Sequence, residues 1–202
     1  MIRILIADDQ ALVRGALAAL LNLEDDFDVV ASVGTGLEAV ETIRRRSDID
    51  IVLMDVEMPE LDGLQACREI IHLRPDTRVL MVTTFGRPGY VRRAFDAGAS
   101  GFVVKDAPSE QLAQHVRAIM DGRRVLDPQL AVDTLTMGNN PLTDREIDVL
   151  REIEKGGSID DIARGVCLSP GTVRNHISAI LGKTGARNRA EAALQARQNG
   201  WL

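Results

Sequence analysis

Ile51-Val52-Leu53-Met54-Asp55-Val56-Glu57-Met58-Pro59 joins four apolar strand formers to a carboxylate, and the chain then turns toward Asp62-Gly63. A short apolar run bounded by breakers fits a strand covered on both faces, as in a parallel sheet flanked by helices. Asp55 then stands at the carboxyl end of that strand. The start of the chain repeats the pattern, with Ile2-Arg3-Ile4-Leu5-Ile6-Ala7 running into Asp8-Asp9. Val79-Leu80-Met81-Val82 ends in Thr83-Thr84, and Gly101-Phe102-Val103-Val104 ends in Lys105. Open parallel sheets bind ligands beyond the carboxyl ends of their strands. Asp8, Asp9, Asp55, Thr83 and Lys105 are therefore expected to converge on one site.

Working outward, residues 1–121 alternate short apolar runs with helix-period segments, the mark of a doubly wound α/β domain. Strands are expected near 2–7, 28–33, 50–54, 78–83 and 101–104. Helices are expected near 10–22, 36–46, 63–72, 87–97 and 109–120, the last capped by Ser109 or Asp106. Residues 122–138 read as a linker, rich in turn residues such as Asp127-Pro128, with a short helix near 128–136. Residues 139–202 read as wholly helical. Thr143-Asp144-Arg145-Glu146 is a capping box, a second helix follows Ser158, a third starts at Ser169-Pro170, and Asn188-Arg189-Ala190-Glu191 reads as another box. The expected architecture is a five-stranded, doubly wound parallel sheet followed by an all-α domain of four helices.

The 202 residues carry a net charge of -6, and that total hides an asymmetry. Residues 1–121 hold 13 Lys+Arg against 20 Asp+Glu, whereas residues 156–202 hold 6 against 3. The front half would be repelled by nucleic acid and the back end weakly attracted to it. No apolar stretch approaches the roughly 20 residues needed to span a bilayer, and the start lacks a basic leader with a long apolar segment. A cytoplasmic protein without a membrane-spanning segment is expected. Cys67 and Cys167 have no Cys or His at ligand spacing, so both are expected to be inert, buried thiols.

Three carboxylates at one sheet edge repel one another, and a divalent cation removes that cost. Mg²⁺ suits a few carboxylate oxygens while leaving positions for phosphate. On that reading Asp8 and Asp9 hold the metal, and Asp55 is the nucleophile that attacks phosphorus. Lys105 and the Thr83 hydroxyl then bond the phosphoryl oxygens. Any one Asp alone reads equally well as a helix cap.

In the back domain, Val173, Ile177, Ile180 and Leu181 form an apolar stripe at i, i+4, i+7 and i+8. The opposite face carries Gly171, Arg174, Asn175 and Ser178. Arg174 and Asn175 are candidate base readers, since each can bond two groups on one base edge. Thr172, the helix amino terminus and Lys183 suit phosphates. Taken alone, the pattern also fits a small helical domain with a solvated polar face.

Two sets of motifs carry a family resemblance. Asp8-Asp9, Asp55-Val56-Glu57-Met58-Pro59, Thr83-Thr84 and Phe102-Val103-Val104-Lys105 resemble the CheY-like receiver domain of two-component response regulators, over about residues 2–121. Leu142-Thr143-Asp144-Arg145-Glu146, Thr172-Val173-Arg174-Asn175-His176-Ile177 and Lys183-Thr184-Gly185-Ala186-Arg187-Asn188-Arg189 resemble the LuxR-type output domain of NarL/FixJ regulators. The receiver resemblance implies that a sensor histidine kinase passes a phosphoryl group to Asp55. Mg²⁺ would be held by Asp8, Asp9, Asp55 and the backbone carbonyl of Glu57, and Thr83 and Phe102 would act as switch residues. It also departs from the family, since Asp106 replaces the proline that often follows the lysine. Phe85, two positions beyond Thr83, is bulky enough to shield an acyl phosphate, so self-dephosphorylation is expected to be slow.

The output resemblance implies double-stranded DNA as partner, with Thr172, Arg174, Asn175, Ser178 and Lys183 toward it. One recognition helix is too little for a long operator, so a homodimer formed on phosphorylation and reading two half-sites is expected. Leu12, Val13, Ala16, Leu17, Leu20 and Leu21 leave the first helix apolar over more than one face, either as core or as a dimer surface. The expected function is phosphorylation-switched transcriptional regulation, and the chain is not expected to be an enzyme. The competing readings are a small phosphatase using the same acidic edge, and a DNA binder whose receiver responds to something other than phosphorylation.

Overall fold

The computed structural model describes residues 1–84, 88–105, 109–128, 130–132 and 140–202. The chain divides into two compact units, one comprising Met1–Gly86 and Tyr90–Val132, the other Arg87–Gly89 and Asp133–Leu202. In the first, strands and helices alternate: β1 Ile2–Ala7, α1 Ala11–Leu21, β2 Phe27–Val33, α2 Gly36–Arg45, β3 Ile51–Met54, α3 Gly63–Leu73, β4 Arg78–Thr83, α4 Pro88–Asp96, β5 Gly101–Val104, α5 Ser109–Met120 and β6 Val125–Leu126. All pairings are parallel, in the order β2-β1-β3-β4-β5-β6.

Side-chain alternation along the strands feeds two cores. Val52 and Met54 of β3 pack with Leu5, Val79 and Phe102 against α2, α3 and α4. Ile51 and Leu53 pack with Ile4, Leu80 and Val103 against α1 and α5 through Leu21, Leu112, Val116 and Ile119. A strand with both faces covered has no polar face, which is why its residues run as an unbroken apolar stretch.

One expectation needs correction here. The sheet has six strands, not five, because Val125 and Leu126 pair with Gly101 and Phe102 within the segment read as a linker. A two-residue strand has no periodicity to read, and its strand character comes from docking on β5. Of the short helix expected near 128–136, residues 128 and 130–132 are helical and the rest lie outside the described residues. The cap suggested at Asp106 also lies outside them.

The second unit contains α6 Asp144–Glu154, α7 Ile159–Gly165, α8 Pro170–Thr184 and α9 Arg189–Gln198. Its core joins Val149 and Leu150 of α6, Ile162 of α7, Val173 and Ile180 of α8 and three alanines of α9. Thr143 and Glu146 form the expected capping box, and Ser158 with Asp161 forms a second one. The box read at Asn188 is only half present. Asn188 accepts from the Glu191 backbone N–H, but the Glu191 carboxylate accepts from the Arg187 N–H at 2.8 Å instead of closing on Asn188. Cys67 is buried and its thiol is pushed up to about 12 by burial. Cys167, expected buried, is exposed, because it occupies the turn between α7 and α8 in the left-handed region at φ 55°.

His115 of α5 has a buried Nδ1 with no hydrogen-bond partner among the described residues. Burial pushes its imidazole below the ordinary value of 6.5, with Asp127 opposing. The unfolded chain therefore takes up a proton more readily than the folded one. Its contribution is intact above 6.5 and is lost as pH falls toward the depressed folded value. Thermal unfolding from pH 7.5 to 5.5 should show a decline in wild type that is shallower in His115→Gln.

Candidate phosphoacceptor site and nucleic-acid interface

β1 and β3 are adjacent with Ala7 opposite Met54, so the next residues, Asp8 and Asp55, emerge side by side. The Asp55 N–H donates to the Ala7 carbonyl at 2.8 Å, and the Asp8 N–H to the Val33 carbonyl at 3.1 Å. Asp8 and Asp55 are buried while Asp9 is exposed. One carboxylate oxygen from each of the three lies within 4.8 Å of the others, a spacing that can hold a metal ion. The donors are all hard oxygens, which suits a small divalent cation.

Lys105 follows β5 and closes the group. Its Nζ lies 2.7 Å from Asp8 Oδ2 and 2.8 Å from Asp55 Oδ2, and only 8% of its side chain is exposed. Its own N–H donates to the Thr83 carbonyl at 2.8 Å, which fixes the end of β5 on β4. Each buried carboxylate keeps its other oxygen on a backbone N–H: Gln10 to Asp8 Oδ1 at 2.9 Å and Val56 to Asp55 Oδ1 at 2.7 Å. Burial pushes the Asp55 carboxyl up, and Asp8 adds to this, outweighing the pull of Lys105 and the Val56 N–H. Burial would lower the Lys105 ammonium, but its bonds to Asp55 and Asp8 prevail and hold it above its ordinary value. The lysine is therefore a fixed cation between two anions.

Thr83 is buried at the end of β4, and Phe102 is fully buried in the core beneath α4. Glu57 is exposed, and its carboxylate accepts from the Tyr90 hydroxyl at 3.3 Å. Asp106 and Phe85 lie outside the described residues. Three contributors went unread in the sequence. Arg14 on α1 donates to the Asp8 backbone carbonyl, Tyr90 reaches across from α4, and Gly63 allows the loop after Asp55 to close. A Cβ on Gly63 would sit 1.8 Å from the Asp55 carbonyl oxygen, and one on Gly36 would sit 2.2 Å from that of Leu61. Asp62-Gly63 was legible as a turn, but the close backbone approach that requires glycine was not.

In the second unit, Ser169 caps α8 by accepting from the Thr172 N–H at 3.1 Å, with Pro170 at the first helical position. Val173 and Ile180 are buried and Ile177 and Leu181 partly so, as the stripe requires. The opposite face leaves Arg174, Asn175 and Ser178 exposed. Thr172 is half-buried, and its hydroxyl lies 2.8 Å from that of Ser169.

Lys183 has a second commitment. Its Nζ lies 2.7 Å from Glu146 Oε2, which also accepts from the Thr143 N–H at 2.7 Å. Burial alone would raise the Glu146 carboxyl, but Lys183 and the Thr143 N–H outweigh it and hold it below its ordinary 4.5. That contribution is complete above 4.5 and is lost as pH falls through the folded value. Lys183→Met should cost about 2 kcal/mol, less than the 3–5 typical of a buried pair, because 36% of the lysine side chain is exposed. Urea unfolding at pH 7 measures this, and the gap between variant and wild type should narrow as pH falls below 4.5, because the Lys183 contribution that the variant lacks is the one wild type then loses.

Comparison with known proteins agrees with this geometry. Residues 4–117 match the family described as response regulator receiver domain, and residues 140–196 match the bacterial regulatory proteins of the luxR family. The chain is 44% identical over 204 residues to the transcriptional regulatory protein DesR of Bacillus subtilis (strain 168), covering 100% of both. It is similar to the solved response regulator ChrA of a heme-sensing two-component system, at 33% identity and TM-score 0.59, covering 100% of this chain and 98% of that one. It also shares the fold of RcsB, solved as two dimers bound to two parallel DNAs, at 20% identity and TM-score 0.68, with 98% of each chain covered. With an acidic sheet edge closed by a lysine in one unit and an exposed Arg-Asn helix face in the other, the chain belongs to the two-component response regulators of the NarL/FixJ type, transcriptional regulators with a receiver and a LuxR-type DNA-binding domain.

Proposed function

We propose that residues 1–121 form a phosphoacceptor receiver, 122–138 a linker that contributes β6, and 139–202 the DNA-binding output domain. The observation that carries this reading is the Lys105 ammonium held between the buried carboxylates of Asp8 and Asp55. A sensor histidine kinase is the phosphoryl donor. An Asp55 carboxylate oxygen forms a bond to phosphorus as the bond from phosphorus to the donor imidazole nitrogen breaks, and that nitrogen leaves with the electron pair. The Val56 N–H orients Asp55, and Lys105 follows the charge onto the phosphoryl oxygens. Mg²⁺, held by Asp8, Asp9, Asp55 and the Glu57 carbonyl, supplies Lewis-acid neutralisation of the phosphoryl charge when bound. Thr83 bonds a phosphoryl oxygen, and Phe102 repacks with it as the domain changes state.

Self-dephosphorylation is slow in this reading, and the protein works in the cytoplasm. No helix among the described residues is long and apolar enough to cross a membrane. Phosphorylation promotes a homodimer. Leu12 is 87% exposed and Leu20 42%, so part of the surplus apolar surface of α1 lies outside the receiver core. Each output domain sets α8 into a major groove of double-stranded DNA. Arg174 and Asn175 read bases, Ser178 supports them, and Thr172 with the remaining Lys183 protons contacts phosphates.

The test is solution mass and binding to genomic DNA fragments, with Mg²⁺, before and after a small-molecule phosphodonor. Donor-dependent dimerisation and at least tenfold tighter, sequence-selective binding are expected. Full phosphorylation with neither change would replace this reading with a DNA binder whose receiver responds to another signal. Continuous release of phosphate at many turnovers per minute would instead favour a phosphatase.

A further inference from the structure

At the edge of the sheet opposite the carboxylates, the amino ends of β4 and β5 and the turn from α5 to β6 enclose a cleft of about 190 Å³. Its lining includes Arg78, Ser100, Arg123 and Arg124 and no acidic residue. This is a local exception in a unit whose residues 1–132 hold 15 Lys+Arg against 21 Asp+Glu. Among the described residues Arg78 has no ion-pair partner, Arg124 lies over the Phe95 ring at 5.5 Å, and Arg123 pairs with the exposed Asp121 at 3.1 Å. Like charges gathered in one concavity are unfavourable until an anion joins them, and guanidinium groups bond oxyanions in paired fashion. The volume is below the ~300 Å³ at which drug-sized ligands become common, so the fit is to a small anion.

We propose that this cleft binds a small phosphate oxyanion, either inorganic phosphate or the head of a phosphate monoester. Arg78 and Arg124 supply the unneutralised charge, and the Ser100 hydroxyl supplies a neutral donor. The site has a structural consequence. The Val125 N–H donates to the Ser100 carbonyl at 3.2 Å, so an anion tying Arg78 to Arg124 holds β6 onto β5 at the point where the chain leaves the receiver. The proposal is independent of Asp55 chemistry.

The test is a titration of the full chain with inorganic phosphate and, separately, glycerol 3-phosphate, without Mg²⁺ and at ionic strength held constant with chloride. Amide NMR shifts are read at Ser100, Gly122 and Arg123, and hydrogen exchange at Val125 and Leu126. Saturable shifts at these positions with slower exchange in β6 are expected from one or both ligands, and the tighter one identifies the source. Asp55→Ala should bind equally, while Arg78→Gln and Arg124→Gln should each weaken binding at least fivefold. The two single variants are exposed surface changes, so unaltered spectra elsewhere establish their folding. Shifts that rise linearly without saturating, that chloride reproduces, or that survive both substitutions would overturn the site.

Discussion

Asp55→Ala is expected to take up no phosphoryl group from a phosphodonor, read as the absence of a mass increment, and to lose every donor-dependent change in assembly and DNA binding. The same variant separates charge from chemistry. Asp8, Asp55 and Lys105 together carry one net negative charge in a buried setting, and removing Asp55 leaves a neutral Asp8–Lys105 pair. Its melting temperature without metal should therefore equal or exceed that of wild type, while the stabilisation gained from Mg²⁺ should largely vanish. Lys105→Ala is the opposite case. It strands two buried carboxylates and should cost about 3 kcal/mol without metal, the lower end for breaking a buried ionic pair. A wild-type-like melting curve for Lys105→Ala would remove the electrostatic account of the site.

Arg174→Ala should lower DNA affinity by about 1–3 kcal/mol, and should relax selectivity at the base it reads. Arg174 is exposed on α8 opposite the Val173–Ile180 stripe, so its loss does not disturb the core. Fluorescence anisotropy on an operator fragment and on single-base variants distinguishes the outcomes. A uniform loss across sequences, with a shallower salt dependence, would reassign Arg174 to a phosphate contact. Lys183→Met complicates the same measurement, because it weakens the Glu146 pair as well as any phosphate contact, so its effect on binding must be taken at a temperature where the variant is fully folded.

Much of the architecture was legible because the signals are local. Ile51–Met54 runs apolar because both of its faces are covered, and α1 to α5 could be placed within a residue or two of their observed ends. Thr143 with Glu146 announced α6 through a three-residue spacing that backbone capping requires. β6 was not legible. Val125 and Leu126 have no pattern of their own and become a strand through pairing with β5. The Asn188 box failed for a related reason, since the spacing permits two acceptors for Glu191 and the local backbone selects the Arg187 N–H.

The sequence by itself determined the order of elements from β1 to α5, the placement of Asp8, Asp9, Asp55, Thr83 and Lys105 at strand ends, and the polar and apolar faces of α8. Each follows from short-range periodicity and breaker residues. Only the tertiary structure decided how those residues share their bonds. Lys105 bridges Asp8 and Asp55, Arg14 reaches the Asp8 carbonyl, Tyr90 meets Glu57 across 33 positions, and Lys183 is tied to Glu146 across 37. Apart from the local Arg14 contact, these join elements far apart in the chain, where side-chain reach and burial set the partner and no sequence spacing records it.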